Sequence, residues 1–194
     1  MKNRIIAVTG PSGAGKTTLG KILLESGLHR ISRVITATTR SKRDNEKHGK
    51  DYYFLKLKDF LKKRSEGFFL ETEEVYKGKW YGTPKNEFKR ISDKGHVPIV
   101  VIDVWGAQTL WGLYGAEVCI INVITKDAEE AARRIIDRDG DNEQTRERIA
   151  KIPDEIMVGK MVQTVQIVND DLEESSKKIV QIVREFLNQV EMST

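Results

Sequence analysis

Cysteine is almost absent: Cys119 is the single one in 194 residues, which excludes an internal disulfide framework and leaves too few thiols for a cysteine-based zinc site. A reducing compartment, the cytoplasm, is the simplest expectation. Histidine is nearly as scarce, and His29, His48 and His96 are scattered without metal-ligand spacing. No uncharged apolar run approaches the about eighteen residues a membrane helix needs, and only Ile5 to Val8 follow the first charges before Thr9 and Gly10. Membrane spanning and secretion are therefore disfavoured. A block of one charge is also missing. The 33 basic and 29 acidic residues give a formal +4 and are interspersed, so nothing demands nucleic acid, and the excess suits a small phosphorylated ligand equally well. Repeats, low-complexity tracts and linkers are absent, and the length is that of one ordinary domain.

What is present is an alternation of buried strands and amphipathic helices. Arg4 to Thr9 reads as a strand, followed by a glycine-rich turn and a helix from about Gly15 with Leu19, Ile22 and Leu23 on one face. Val34 to Ala37 suggests a second strand, and the charged stretch Arg40 to Asp51, lacking a hydrophobic period, an exposed loop. Tyr52 to Leu55 reads as a strand, Leu57 to Arg64 as a short helix ended near Gly67, and Phe68 to Val75 as a strand with Lys77-Gly78 as its hairpin turn. Thr83-Pro84 has the form of a helix start, with Gly95 placed to stop it. Val97 to Ile102, ending at Asp103, and Val118 to Ile124 are the near-continuous apolar runs that parallel strands covered on both faces require. Thr125 can cap a helix from Lys126 through about Asp137, and a polar, arginine-bearing segment from Asp139 to Arg148 follows. Val165 to Val168 offers the last strand. A final helix from Asp170 carries Leu172, Ile179, Ile182, Val183, Phe186 and Val190 at helical spacing. The predicted fold is α/β: a parallel sheet covered by helices on both faces and carrying two inserts. Cys119 is expected to be a small strand residue in the core.

Gly10-Pro11-Ser12-Gly13-Ala14-Gly15-Lys16-Thr17 fits G-x-x-x-x-G-K-[ST] and lies between a predicted strand and a predicted helix, with Thr18 next in the helix. Glycines let backbone N–H groups converge on phosphate oxygens. The helix start adds the positive end of its dipole, Lys16 can neutralise β- and γ-phosphates, and the Thr17 hydroxyl can ligate Mg²⁺. The loop alone does not separate an ATPase, a GTPase and a kinase of small molecules.

On the acceptor side, Thr36-Ala37-Thr38-Thr39-Arg40-Ser41-Lys42-Arg43-Asp44-Asn45-Glu46 places two arginines three residues apart, and Gly49-Lys50-Asp51-Tyr52-Tyr53-Phe54 follows. The planar fork of arginine suits phosphate geometry. Together with the phosphate loop, Phe69-Leu70-Glu71 and Trp80-Tyr81-Gly82-Thr83, these motifs resemble the guanylate kinases in order and spacing, from residue 5 to about residue 174. The resemblance implies a P-loop kinase fold with a core at about 1-35, 84-125 and 150-194, a nucleoside-monophosphate-binding insert at about 36-83 and a lid at about 126-149. It implies transfer of the γ-phosphate of ATP to GMP or dGMP. Arg40, Arg43, Tyr52 and Tyr81 match the positions that hold the monophosphate, with Glu46 bracing the arginines. Thr36, Glu71, Thr83 and Asp103 match those around guanine.

That base assignment agrees with elementary chemistry, because guanine presents N1–H and an N2 amine on one edge and a carboxylate such as Glu71 accepts both. Adenine would turn a lone pair toward it. One buried mismatch of that kind costs on the order of 1–3 kcal/mol, roughly five- to a hundred-and-fifty-fold. Arg134, Arg138 and Arg148 match arginines that the family brings over the transferring phosphates, although Glu129/Arg133 and Glu130/Arg134 are also i,i+4 pairs that would stabilise any exposed helix. Asn169 matches a position near the adenine of ATP, and Asn169 or Asp170 could equally be a helix N-cap. Trp105 stands where the family usually has glutamine, Val101 where many members carry an acid, Ala37 where a polar residue is usual, and the tyrosine often found before the last strand is missing. The competing expectations are a P-loop phosphotransferase for another nucleotide or a sugar phosphate, and a non-catalytic guanylate-kinase-like binding module. Nucleotides are the expected partners, with no membrane, nucleic acid or obligate protein partner called for.

Overall fold

The computed structural model describes residues 4–28, 30–76 and 78–188, so His29, Lys77 and Val190 lie outside the described residues. β1 (Ile5–Thr9) runs through the glycine loop into α1 (Lys16–Glu25), and β2 (Ile31–Arg33) follows. A second, smaller sheet then forms from β3 (Ala37–Thr38), β4 (Tyr53–Phe54), β5 (Phe69–Tyr76) and β6 (Lys79–Pro84), with α2 (Leu57–Ser65) between β4 and β5. α3 (Lys85–Ser92) returns the chain to β7 (Val97–Val101), and α4 (Val104–Tyr114) leads to β8 (Val118–Ile124). Beyond β8 come α5 (Ala128–Asp139), α6 (Glu143–Ala150), α7 (Ile152–Met161), β9 (Val165–Val168) and α8 (Leu172–Asn188).

The main sheet has the order β2-β7-β1-β8-β9, parallel throughout. β1 is central, with β7 on one side and β8 on the other, so the loop after β1 opens at the point where the strand order reverses, where ligands of open α/β sheets bind. Both faces of β1 are buried, which explains its unbroken apolar run. Ile5 and Ala7 pack with Phe88, Val100, Ile102 and Leu110 beneath α3 and α4, while Ile6 and Val8 pack with Leu19, Leu23, Ile121, Ile179 and Val183 beneath α1 and α8. Cys119 is a buried residue of β8.

Several expected boundaries are displaced, each for a local reason. The strand expected at Val34 to Ala37 is split: β2 lies earlier, beside β7 at the sheet edge, and Ala37 opens β3 in the second sheet. Half-buried edge residues such as Ser32 and Arg33 do not give a continuous apolar signal. Thr83 lies in β6 and does not cap α3, its hydroxyl donating instead to Glu71 Oε1 at 2.6 Å, and Pro84 ends β6 and stands at the N-cap of α3 rather than in its first turn. Asp127, not Thr125, caps α5, accepting from Glu130 N at 2.7 Å. Asp171 accepts from Glu174 N at 2.8 Å at the start of α8, the place expected of Asn169 or Asp170. Arg133 pairs with Glu130 and Asp137 rather than with Glu129, whereas the Glu130–Arg134 pair forms at 2.7 Å. The polar segment after Asp139 contains α6, started by Asn142 accepting from Thr145 N at 3.0 Å.

Each insert has its own small apolar centre. Phe60 of α2 stacks on Phe69 of β5 at 4.6 Å, with Ala37, Tyr53 and Trp80 around them. In the lid, Ala131 and Ile135 of α5 meet Ile152 of α7. Phe60 is fully buried, so Phe60→Ala is expected to lower stability by about 3–5 kcal/mol. Urea unfolding followed by tryptophan fluorescence measures it; a loss below about 1 kcal/mol would show that the small sheet can repack around the missing ring.

Candidate active site

The loop between β1 and α1 folds back tightly against its neighbours. Gly10 has φ +135°, and a Cβ there would lie 1.9 Å from the Val123 carbonyl oxygen. Gly15 has φ +93°, and a Cβ would meet Asn169 Nδ2 at 2.3 Å. Only glycine fits both the backbone and the space. Lys16 Nζ donates to the carbonyls of Gly10 (2.7 Å) and Pro11 (2.9 Å). Burial pulls its pKa down, opposed by Glu155 and Asp103. From α7, buried Glu155 accepts from Ser12 N at 2.7 Å, and burial pushes its own carboxyl up, against the charge of Lys16.

Ser12, Gly13, Gly15, Lys16, Thr17 and Thr18 line one wall of a cleft. Gly10, Pro11 and Ala14 belong to the same loop but do not line it. Asn169 is buried behind the loop, where its Nδ2 donates to the Ala14 carbonyl at 2.8 Å. Arg134 in turn donates to the Asn169 carbonyl at 3.0 Å and pairs with Glu130, and neither Arg134 nor Asn169 lines the cleft.

Thr36, Arg40, Arg43, Tyr52, Glu71, Tyr81 and Thr83 of the smaller sheet and its loops line the opposite wall, with Asp103 from the end of β7. Arg40 is held on every side. Its Nη1 and Nη2 meet the two carboxylate oxygens of Glu46 at 2.9 and 2.7 Å, its Nε donates to Tyr81 Oη at 3.2 Å, and its guanidinium lies 5.3 Å from the Tyr52 ring centroid. Burial works against the Arg40 charge, but Glu46 and Tyr81 outweigh it and raise its pKa. Glu46 also accepts from Arg43 N at 2.8 Å, so one carboxylate orients both arginines without lining the cleft itself.

Farther in, Glu71 and Asp103 stand close enough to repel. Burial, and then the Asp103 charge, push the Glu71 carboxyl up to about 8, with the Thr83 hydroxyl opposing. Asp103 caps α4, accepting from Gly106 N at 2.8 Å, and burial raises its pKa too. Trp105 does not line the cleft, and Val101 lines it as a plain apolar contact.

From the lid, Arg138 and Arg148 reach the cleft. Both bind Asp139, Arg138 Nη2 at 2.8 Å and Arg148 Nη1 at 2.5 Å, and Arg43 of the opposite wall binds the same carboxylate at 3.2 Å. Lys151 adds a second bridge, donating to the carbonyls of Glu74 and Val75 on β5. Sequence reasoning singled out neither Asp139, Glu155 nor Lys151 as part of the site. Asp139 had one available signal: it directly follows Arg138, with Arg133 and Arg134 earlier in the same helix and Arg146 and Arg148 in the helix after it. No group of three or more His, Cys, Asp or Glu side chains poised for a metal occurs among the described residues, and none of their helices is long and apolar enough to cross a membrane.

This pairing of a glycine loop with an arginine-and-tyrosine wall has a known counterpart. The family model described as guanylate kinase matches residues 2–186. The chain belongs to the guanylate kinase family. It is 36% identical to a guanylate kinase of Bacteroides thetaiotaomicron over 97% of this chain and 92% of that one. It is 38% identical to that of Clostridium acetobutylicum over 94% and 85%. The crystal structure of guanylate kinase from Anaplasma phagocytophilum superposes with a TM-score of 0.76 at 32% identity, covering 94% of this chain and 85% of that one. The architecture is accordingly the P-loop kinase fold, with a small β-insert and a helical lid.

Glu71 makes a pH prediction. Its carboxyl titrates near 4.5 when unperturbed and is pushed to about 8 in the fold, so between those values the native state holds a proton that the unfolded chain has lost. The associated stabilisation is complete below about 4.5 and is lost as pH rises through about 8. Glu71→Gln is neutral throughout and keeps it. Urea unfolding at about pH 5, 6.5 and 8 is expected to move the stability difference steadily in favour of Glu71→Gln, by on the order of 1 kcal/mol per pH unit at most. A difference that stays flat would place Glu71 in a wetter setting.

Proposed function

We propose that the two walls of the cleft divide the family reaction, ATP + GMP → ADP + GDP, between a donor side and an acceptor side. The observation that carries this reading is their juxtaposition: a loop of converging N–H groups with Lys16 faces Arg40, Arg43, Tyr52 and Tyr81 across one cleft, with a buried carboxylate at the acceptor end. On the donor side the loop from Gly10 to Thr18 receives the ATP phosphates through backbone N–H groups and the helix dipole. Lys16 leaves the carbonyls of Gly10 and Pro11 to neutralise β- and γ-oxygens. Hard oxygen donors suited to magnesium stand in the same cleft, the Thr17 hydroxyl and the carboxylates of Asp103 and Glu155. Thr17 is the residue that would hold Mg²⁺ beside the phosphates, and the ion when bound supplies positive charge there.

On the acceptor side Arg40 and Arg43, oriented by Glu46, take the GMP phosphate together with the hydroxyls of Tyr52 and Tyr81. Glu71, releasing its proton to solvent as the base enters, accepts the guanine N1–H and N2 amine as a carboxylate, with Thr83 setting its orientation and Thr36 and Asp103 completing the base pocket. A phosphate oxygen of GMP attacks the γ-phosphorus as the bond to the ADP oxygen breaks. The second ionisation of a phosphate monoester lies near pH 6, so this nucleophile is already anionic at neutral pH and no general base is required. The barrier is the approach of two polyanions, and Arg138 and Arg148 spread the charge that develops. Arg134 and Asn169 brace the loop from behind, a placement that suits support of the ATP site better than contact with the transferred phosphate.

The reading is tested by ADP formation with GMP, dGMP, AMP, CMP, UMP and ribose phosphates. Turnover confined to the guanine nucleotides is expected; turnover of a sugar phosphate with none of GMP would overturn it. Lys16→Met is expected to lower kcat by at least about a hundredfold, the loss typical of one oriented charge at a transition state. GMP affinity, measured by calorimetry, should stay within about twofold, and equal loss of both would contradict the division into two sides. Glu71→Ala should reduce the preference for GMP over AMP by roughly five- to a hundred-and-fifty-fold; an unchanged ratio removes Glu71 from base reading.

A further inference from the structure

We propose that Asp139 is a positioning residue of the phosphate cleft, an internal anion that holds Arg43 of the insert together with Arg138 and Arg148 of the lid and against which nucleotide phosphates compete for the same guanidinium groups. The proposal rests on the phosphate-binding roles given to these arginines above. Its carboxylate is fully engaged: Oδ1 accepts from Arg43 Nη2 at 3.2 Å and Arg138 Nε at 3.1 Å, and Oδ2 accepts from Arg138 Nη2 at 2.8 Å and Arg148 Nη1 at 2.5 Å. All three arginines line the cleft. Burial alone would raise the pKa of Asp139, but Arg138, Arg148 and Arg43 outweigh it and hold the carboxyl far below its usual range.

Local structure gives no other reason for an acid at this position. Asp139 is the last residue of α5, where the helix dipole disfavours an anion, and Gly140 with φ +77° ends the helix on its own. Arg40 does not need it, being neutralised within the insert by Glu46. Among the ion pairs of the described residues, Arg43–Asp139 is the one that joins insert to lid. The carboxylate thus does two things at once. It keeps three like charges together at one spot, and it sets a threshold that an incoming anion must exceed. A phosphate dianion, with more charge and three acceptor oxygens, exceeds it where a neutral nucleoside does not.

The test compares Asp139→Asn and Asp139→Ala with the parent chain. Calorimetry would measure binding of GMP, of inorganic phosphate, and of guanosine, which offers the base without the anion. Removing the competitor is expected to tighten GMP and inorganic phosphate by about three- to tenfold, with the larger gain in Asp139→Ala because asparagine keeps an acceptor oxygen. Guanosine affinity should not move, and KM for GMP should fall by the same factor as its dissociation constant. Unchanged or weaker binding of GMP in both variants overturns the proposal. A shift in guanosine equal to that in GMP also overturns it, since that pattern belongs to a general structural role. Failure of the parent chain to phosphorylate GMP would instead sink the proposed reaction, and the inorganic phosphate measurement still decides the role of Asp139.

Discussion

The governing constraint is the concentration of positive charge in one partly buried cleft. Lys16, Arg40, Arg43, Arg138 and Arg148 all face it, and cations gathered in a region of reduced dielectric repel strongly unless each has a counter-charge. The chain supplies those counter-charges from within: Glu155 beside the loop and Lys16, Glu46 for Arg40 and Arg43, and Asp139 for Arg43, Arg138 and Arg148. The acids on the phosphate side of the cleft are therefore committed to balancing its bases. The internal anions that hold these cations together keep them gathered at one spot until nucleotide phosphates take their place.

The acceptor end obeys the opposite logic. Glu71 and Asp103 are two buried carboxylates whose pKa values rise together, by burial and, for Glu71, by the charge of Asp103 as well. Carboxyl oxygens held in a buried pocket favour a ligand edge rich in N–H donors, and guanine has two on one side. Thr83 and the N-terminus of α4 each contribute one fixed hydrogen bond, to Glu71 and Asp103 respectively, so the carboxylates cannot turn to satisfy one another. The two ends of the cleft thus differ in chemistry, cationic where phosphates meet and lined by buried carboxyl groups that resist ionisation where the base sits.

How much of this was legible in the sequence depended on whether the signal was local. The phosphate loop is contiguous, and its glycines are forced by backbone contacts to Val123 and Asn169, so eight consecutive letters carried it. β1, β7 and β8 were equally visible, because apolar runs report two-sided burial directly. β2 was not, since an edge strand half exposed at Ser32 and Arg33 has no such run. α4 was missed because Val104, Ala107 and Leu110 face the core while Trp105, Trp111 and Leu113 also read as apolar, leaving no contrast between its faces. Glu155 and, but for its neighbouring arginines, Asp139 gave little sign of their roles for a different reason. Each acts on residues far away in sequence, Ser12 in one case and Arg43 in the other, and a lone acid on a helix reads as a solvated surface residue until the fold brings its partner to it.

The same distinction between local and distant contacts explains how the two arms of the cleft can be both well ordered and separable. The insert is consolidated by Phe60, Phe69 and Trp80, and the lid by Ala131, Ile135 and Ile152, apolar clusters whose members come from within each arm or from the helix next to it. Between the arms the described hydrogen bonds are polar: Arg43 to Asp139, and Lys151 to the β5 carbonyls. Arg43 is nearly half exposed, at 46%, and ion pairs of that kind contribute about 0–1 kcal/mol in water. Opening the cleft therefore costs little while unfolding either arm costs a great deal. A kinase that must admit two nucleotides and then exclude water needs this ordering of energies, with rigid units joined by contacts that an anion can replace.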